Sequence, residues 1–149
     1  MMTLPQTAEY ALRAVIHIAE TDTEPVRVED IARALGVPRN YLSKTLHQLA
    51  RDGILDSTRG PGGGFRLSRA ASELTLAQVV SPFGLSEQSS CLLGRPQCRD
   101  QSPCAAHWRW RDAAERLNAF FSETTIADVQ SSRPPQRHRP PARRAEAAR

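Results

Sequence analysis

"GVPRNYLSKTLHQLARDGILDSTRGPGGGFRLSR", residues 36–69, contains a helix and a hairpin in immediate succession. Pro38 suits the first turn of a helix and Gly53 suits its end, so the pattern predicts a helix over 39–52. Leu42, Leu46 and Leu49 recur at helical spacing and form an inner stripe, with Ala50 beside it. Asn40, Lys44, His47 and Arg51 point the opposite way, flanked by Arg39 and Ser43. A basic, amide-bearing outer face suits nucleic acid, but a merely solvated face has the same periodicity. The next residues tilt the reading. Residues 54–58 and 65–67 read as two short strands joined by a glycine-rich connection. A hairpin directly after a candidate recognition helix is the wing of a winged helix-turn-helix.

The wing is expected to contact DNA as well. Arg59 and Arg66 lie at its two ends, and Gly60, Gly62, Gly63 and Gly64 let the backbone approach a groove or phosphates closely. An arginine at a narrow tip can enter the minor groove, where negative potential is focused. "GPGGG" is not a nucleotide-binding phosphate loop, because the Lys-Ser/Thr pair and a following helix are both missing.

Upstream, Ala8, Ala11, Leu12, Val15, Ile18 and Ala19 give one apolar face to a first helix over 4–20. A short second helix runs from about Glu29 to Leu35, with Glu29 and Asp30 at its positive end and Gly36 as its stop. Downstream, "ELTLAQVVSPF" reads as a short helix capped by Thr75 and ended by Ser81-Pro82. Trp110, Ala113, Ala114, Leu117, Phe120 and Phe121 then repeat at three- and four-residue spacing. That is more aromatic bulk than a small winged domain needs, so this C-terminal helix is expected to form a dimer seam. The fold class is thus mainly α with a small β-wing. Its parts are a winged helix-turn-helix at 1–83, a loop at 84–104, a dimerisation helix at 105–130 and a tail.

The net charge of +4 is unevenly placed. Residues 131–149 carry six arginines against Glu146, a net of +5, so the preceding 130 residues sum to −1. Rich in proline and arginine and poor in apolar bulk, the tail cannot bury a core and is expected to be disordered. It either adds non-specific affinity for nucleic acid or is simply solvated. No run of 18 apolar residues is present, so no membrane span is expected. The start, "MMTLPQTAEYALR", lacks the pattern of a signal peptide, and a cytoplasmic protein is expected.

Every cysteine lies in one stretch, Cys91-x6-Cys98-x5-Cys104-x2-His107. A reducing compartment disfavours disulfides, which leaves inert thiols, a reactive thiol or metal ligands. The short C-x2-4-C knuckles of structural zinc sites are absent. Wider loops between soft thiolates suit an iron–sulfur cluster, which is bulkier than one ion. Ser102 and Pro103 read as the cap and first position of a helix, which would put Cys104 at a helix N-terminus, where the dipole favours thiolate. His107 lies one turn on, on nearly the same face.

Here the sequence resembles a known family. "EYALRAVIHIA", "IARALGVPRNYLSKTLHQLARDGIL", "STRGPGGGFRLSR", "LTLAQVV" and "PCAAHWRWRDAAERLNAFFSETTIADV" are similar, in order, to the Rrf2 family of bacterial winged-helix regulators. The similarity covers about residues 1–130, and the wing and cysteine stretch are its most specific pieces. It implies a homodimer, each subunit reading half of a palindromic operator in double-stranded DNA. It also implies a cluster held by Cys91, Cys98 and Cys104. In members that regulate cluster biogenesis, the histidine matching His107 completes a 2Fe–2S site. In nitric-oxide-sensing members, an acidic residue matching Glu9, supplied by the partner subunit, completes a 4Fe–4S site. This chain has both residues, and its first cysteine gap is one residue longer than usual in either kind.

The expected function is a transcriptional regulator, a repressor, whose operator affinity follows the state of an iron–sulfur cluster. His107 can reach the metal of Cys104 without any other element moving, which favours the 2Fe–2S site. The DNA contacts are expected from Arg39, Asn40, Ser43, Lys44, His47, Arg59, Gly60 and Gly63. Two alternatives remain: a small iron–sulfur electron carrier, which has no use for a wing, and a cluster-free DNA binder that depends on zinc or thiols. No nucleophile–base pair is recognisable, so an enzyme is not expected.

Overall fold

The computed structural model describes residues 4–22, 24–84 and 91–130. The basic tail at 131–149 and part of the expected loop at 84–104 therefore lie outside the described residues. Six helices and a hairpin follow one another as α1 (Gln6–Glu20), α2 (Val28–Leu35), α3 (Arg39–Arg51), β1 (Leu55–Thr58), β2 (Gly64–Leu67), α4 (Leu76–Val80), α5 (His107–Glu123) and α6 (Ile126–Val129). Among the described residues no helix is long and apolar enough to cross a membrane.

The core forms where α1 meets α3. Ala11, Ala14, Val15 and Ile18 on one side, and Leu42, Leu46 and Leu49 on the other, are fully buried. Small alanines on α1 let α3 approach closely while the leucines fill the space between them. Thr45 is buried among these apolar residues, and its hydroxyl donates to the Tyr41 carbonyl at 3.3 Å, so it leaves no unpaired polar atom. Gly36, at φ +66°, turns the chain between α2 and α3. Pro38 stands just outside α3, its carbonyl accepting from the backbone N–H groups of Tyr41 and Leu42.

The wing is better anchored than its sequence suggests. β1 and β2 pair antiparallel from Leu55 opposite Leu67 to Thr58 opposite Gly64. The other edge of β2 is also occupied, because Val26 and Phe65 exchange backbone hydrogen bonds of 2.9 and 2.8 Å. Backbone therefore crowds the wing from both sides. A Cβ on Gly64 would collide with the Val26 carbonyl, and one on Gly63 with the Thr58 carbonyl. The absent side chains at 63 and 64 are thus required inside the wing, whatever approaches it from outside.

Two features differ from the sequence expectation. Ser102 and Pro103 do not start a helix: the Ser102 N–H donates to the Arg99 carbonyl at 2.9 Å, closing a turn, and α5 begins only at His107. Cys104 precedes the helix by one turn, so the helix-dipole argument does not apply to it. The expected 105–130 helix is also two pieces. α5 stops at Thr124, and Thr125 begins α6 with a capping box through Asp128.

Two of the wing glycines, Gly64 and Gly62, supply a controlled comparison. Gly64→Ala is expected to lower unfolding free energy by about 1–3 kcal/mol, since backbone must shift to admit the methyl group. Gly62→Ala meets nothing within 4 Å and should stay within about 0.5 kcal/mol of wild type. Urea denaturation followed by circular dichroism measures both, and equal midpoints would contradict the described packing.

Candidate DNA face and cysteine site

Asn40, Lys44, His47 and Arg51 are exposed along one side of α3, and Ser43 is half-buried beside them. Several already have internal partners. Arg39 Nε meets Glu29 Oε1 at 2.7 Å. Glu29 is held below the ordinary carboxylate range, first by its own backbone N–H and then by Arg39. His47 Nδ1 donates to the Ser43 carbonyl at 2.7 Å, and its ring stands edge-on to Phe65 of the wing, 5.3 Å between centroids. Arg39, His47, Arg59, Gly60 and Gly63 line one cleft between α3 and the wing. Ser43, Lys44 and His47 line an adjoining groove with Tyr41, Arg51 and Phe83. The structure thus gathers seven of the eight expected DNA contacts around these two hollows, with Asn40 exposed on the same helix.

Sequence reading missed Arg27 at this face. Its Nη2 donates to the Pro61 carbonyl at 2.8 Å and ties the wing tip to the start of α2. Nothing in the sequence separates Arg27 from any other exposed arginine, because its partner is a backbone atom 34 residues away.

The cysteine stretch is a chain of tight turns. Gly94 N–H bonds to Cys91 O at 2.9 Å, Cys98 N–H to Arg95 O at 3.2 Å, Ser102 N–H to Arg99 O at 2.9 Å and His107 N–H to Cys104 O at 3.0 Å. This winding brings the three sulfurs within 4.8 Å of one another, with Cys91 and Cys104 at 3.6 Å. All three are free thiols, and Cys104 is the buried one. His107 turns Nδ1 toward Cys98 Sγ at 3.1 Å and Nε2 toward Asp100 Oδ1 at 2.9 Å. These residues line a cavity of about 510 Å³ together with Trp110, Arg111 and Ala114 of α5. Glu9 lies on the exposed side of α1, 3.7 Å from Arg13, and is not among the grouped sulfur donors.

The thiols are electrostatically unequal. Backbone N–H groups of Arg95 and Leu93, helped by Cys104 and Cys98, lower the Cys91 thiol to about 7. The backbone of Cys104 also pulls Cys98 down, but desolvation and the two neighbouring sulfurs outweigh it, so Cys98 moves up. The carboxyl of Asp100 is held low by His107 and Arg111. Three soft sulfurs and an imidazole nitrogen are a donor set that fits an iron–sulfur cluster or a zinc ion. Asp100 and Arg111 were not singled out from the sequence, where a lone acid between cysteines has no distinguishing pattern.

An α2–α3 pair with a polar outer face, a glycine-tipped hairpin beside it and a long following helix define a winged helix-turn-helix transcriptional regulator. The chain belongs to the Rrf2 family: its family profile, described as an iron-dependent transcriptional regulator, matches residues 4–132. A putative HTH-type transcriptional regulator of Aquifex aeolicus is 33% identical over 131 residues, covering 86% of this chain and 91% of the relative. The HTH-type transcriptional regulator IscR of Klebsiella pneumoniae is 32% identical over 129 residues, covering 86% and 79%. CymR (YrzC), the global cysteine regulator of B. subtilis, shares the fold with a TM-score of 0.74 at 20% identity, over 90% of this chain and all of that one.

In metal-free protein the unequal thiols should react unequally. Iodoacetamide is expected to alkylate Cys91 first, its rate rising through about pH 7, because the thiolate is the nucleophile. Cys98 should need higher pH. Peptide mapping by mass spectrometry across pH 6–10 reads both, and a common profile for the two thiols would contradict the geometry.

Proposed function

We propose that the chain is a homodimeric, cytoplasmic repressor whose affinity for a palindromic operator is controlled by an iron–sulfur cluster. The cluster would be a 2Fe–2S centre held by Cys91, Cys98, Cys104 and His107. The observation that carries this reading is the convergence of three sulfurs within 4.8 Å, with His107 Nδ1 3.1 Å from one of them. The iron-dependent description of the family supports iron over other metals. When bound, such a cluster supplies a redox-active, oxidant- and nitric-oxide-sensitive centre whose integrity is the signal. The protein's own part is to hold four donors at the start of α5 and to keep the inner sulfur, Cys104, away from water. Imidazole in place of a fourth thiolate raises the cluster potential. His107 already lies beside the cysteines of its own chain, whereas the exposed Glu9, next to Arg13, would have to be delivered by the partner subunit, and this favours His107 over a Glu9-completed 4Fe–4S site.

DNA recognition is assigned to α3 and the wing, with Lys44 on phosphate and Arg59 in the minor groove. α5 supports a dimer. Ala114 is its one buried residue, while Trp110, Leu117 and Phe121 are half-buried and Phe120 is 52% exposed. This leaves apolar surface suited to a second copy, as winged-helix readers of symmetric half-sites require. A colourless zinc site is the second reading, because zinc also accepts three thiolates and an imidazole within one compact group.

Anaerobic purification separates the readings. A brown or red protein containing iron and sulfide is expected, binding its operator about 5–150-fold more tightly than the same protein stripped by a chelator. His107→Ala should change the Mössbauer spectrum and Glu9→Ala should leave it as wild type. The reverse pattern would move the site to 4Fe–4S, and stoichiometric zinc would replace the cluster reading altogether.

The DNA assignment has its own test. Lys44→Ala should weaken binding on all sequences and reduce the slope of log affinity against log salt by about 1. Arg59→Ala should instead lose discrimination at an A·T-rich position. Titrations by fluorescence anisotropy at several salt concentrations measure both, and wild-type behaviour of the two variants would exclude this face.

A further inference from the structure

Beyond the four donors, the site contains an arrangement that metal binding alone does not require. Asp100 sits in the turn closed by Arg99 and Ser102, between Cys98 and Cys104. Its Oδ1 is 2.9 Å from His107 Nε2, and both its oxygens are 2.9 Å from Arg111 Nη1. Arg111 lies one helical turn beyond His107 and is itself held: its guanidinium stacks over Trp108 at 4.5 Å, and its Nε faces Glu115 at 3.5 Å. The Asp100 side chain is 64% exposed, and ion pairs this exposed contribute little to stability. The geometric consequence is larger. A carboxylate accepts hydrogen bonds and cannot donate one, so the proton of a neutral His107 ring belongs on Nε2. The lone pair then sits on Nδ1, the atom that faces Cys98.

We propose that Asp100, held in place by Arg111, is a positioning residue that fixes the Nε2-protonated tautomer of His107 and presents Nδ1 as the donor to the cluster. This rests on the reading of His107 as a ligand. Without Asp100 the ring is free to rotate and to exchange tautomers, and Nδ1 faces the sulfurs only part of the time. A carboxylate behind the imidazole also makes the donor nitrogen more electron-rich, which favours the oxidised cluster and lowers its potential.

The test uses full-length, anaerobically purified cluster-loaded protein in five forms: wild type, Asp100→Ala, Asp100→Asn, Asp100→Glu and His107→Ala. Three quantities are read: the nitrogen couplings in pulsed EPR of the reduced cluster, the reduction potential, and the half-life of the cluster under a chelator. Asp100→Ala is expected to broaden or lose the imidazole couplings, raise the potential and weaken cluster retention about 10–100-fold. Asp100→Asn keeps an acceptor without the charge and should fall between. Asp100→Glu should recover most of the wild-type behaviour, which a general loss of loop structure would not allow. Asp100→Ala indistinguishable from wild type in all three measurements, with His107→Ala clearly altered, would overturn the role of Asp100 and leave the ligand assignment standing. His107→Ala indistinguishable from wild type would overturn both.

Discussion

A reciprocal pair of backbone hydrogen bonds determines where the cysteine site can sit. Leu76 N–H donates to Thr124 O at 2.9 Å, and Ile126 N–H donates to Leu74 O at 2.8 Å. Each strand of this short bridge runs into a capping box, Thr75 with Gln78 at α4 and Thr125 with Asp128 at α6. The chain leaves the winged domain after α4, and here it is clasped back onto it. Ile126 lies fully buried in the same core as α1 and α3, and Gln130 Nε2 donates to the carbonyl of Ala19 at 2.8 Å. Without the clasp, α5 would rest on the domain through half-buried aromatics and Ala114. With it, the start of α4 and the far end of α5 are fixed, so the cysteine stretch at the near end of α5 inherits a defined position.

The wing side of the domain is built under a different constraint. There β2 makes backbone bonds on both edges, and the wing tip is tied to α2 through Arg27. The cleft beside the wing is therefore presented in a set shape, which reduces the ordering cost of binding. Its charges are partly committed in advance. On the proposed reading an approaching phosphate must compete with Glu29 for Arg39, while Lys44 and Arg59 stand exposed. That reading therefore makes Lys44 and Arg59 the stronger electrostatic contributors, and Arg39 a group whose engagement depends on releasing its partner.

The elements that were legible in the sequence are those whose signals are local. The leucine stripe of α3, the Gly36 and Gly53 stops and the Thr75 cap each depend on neighbours within one turn, and all are present. The convergence of Cys91, Cys98 and Cys104, with His107 beside Cys98, was legible because short loops limit how far their ends can separate. Ser102 misled for a physical reason: its side-chain chemistry suits a helix cap, but the residues after it close a further turn, His107 N–H to Cys104 O, before the helix begins at His107. The Val26 bridge on the outer edge of β2, the clasp at Thr124–Ile126 and the Arg27–Pro61 bond were not legible. Each ends on a backbone acceptor distant in sequence, and no side-chain pattern marks such an acceptor. Asp100 belongs with these, since its role comes from which face of His107 it meets.

These two sides of the molecule meet through α4 and α1, since α5 packs on α4, α4 on α1 and α1 on α3. Spatial continuity alone does not make a signal; one element must also have two states. The cysteine stretch is the element suited to that role. Between residues 91 and 106 it buries Cys104 but no large apolar side chain, and Leu92 and Leu93 face solvent. A loop with so little core has low local stability, so donors drawn onto a common centre order it far more than they would order α1 or α3. On the proposed reading, the free energy of that ordering enters at the first turn of α5, where His107 and Arg111 belong to both the loop site and the helix. The clasp at Thr124 holds the other end still. A change of shape at the loop must then appear as a change in how α5 lies on α4, or in the surface α5 offers a partner, and either would reset the spacing of two recognition helices across a palindrome.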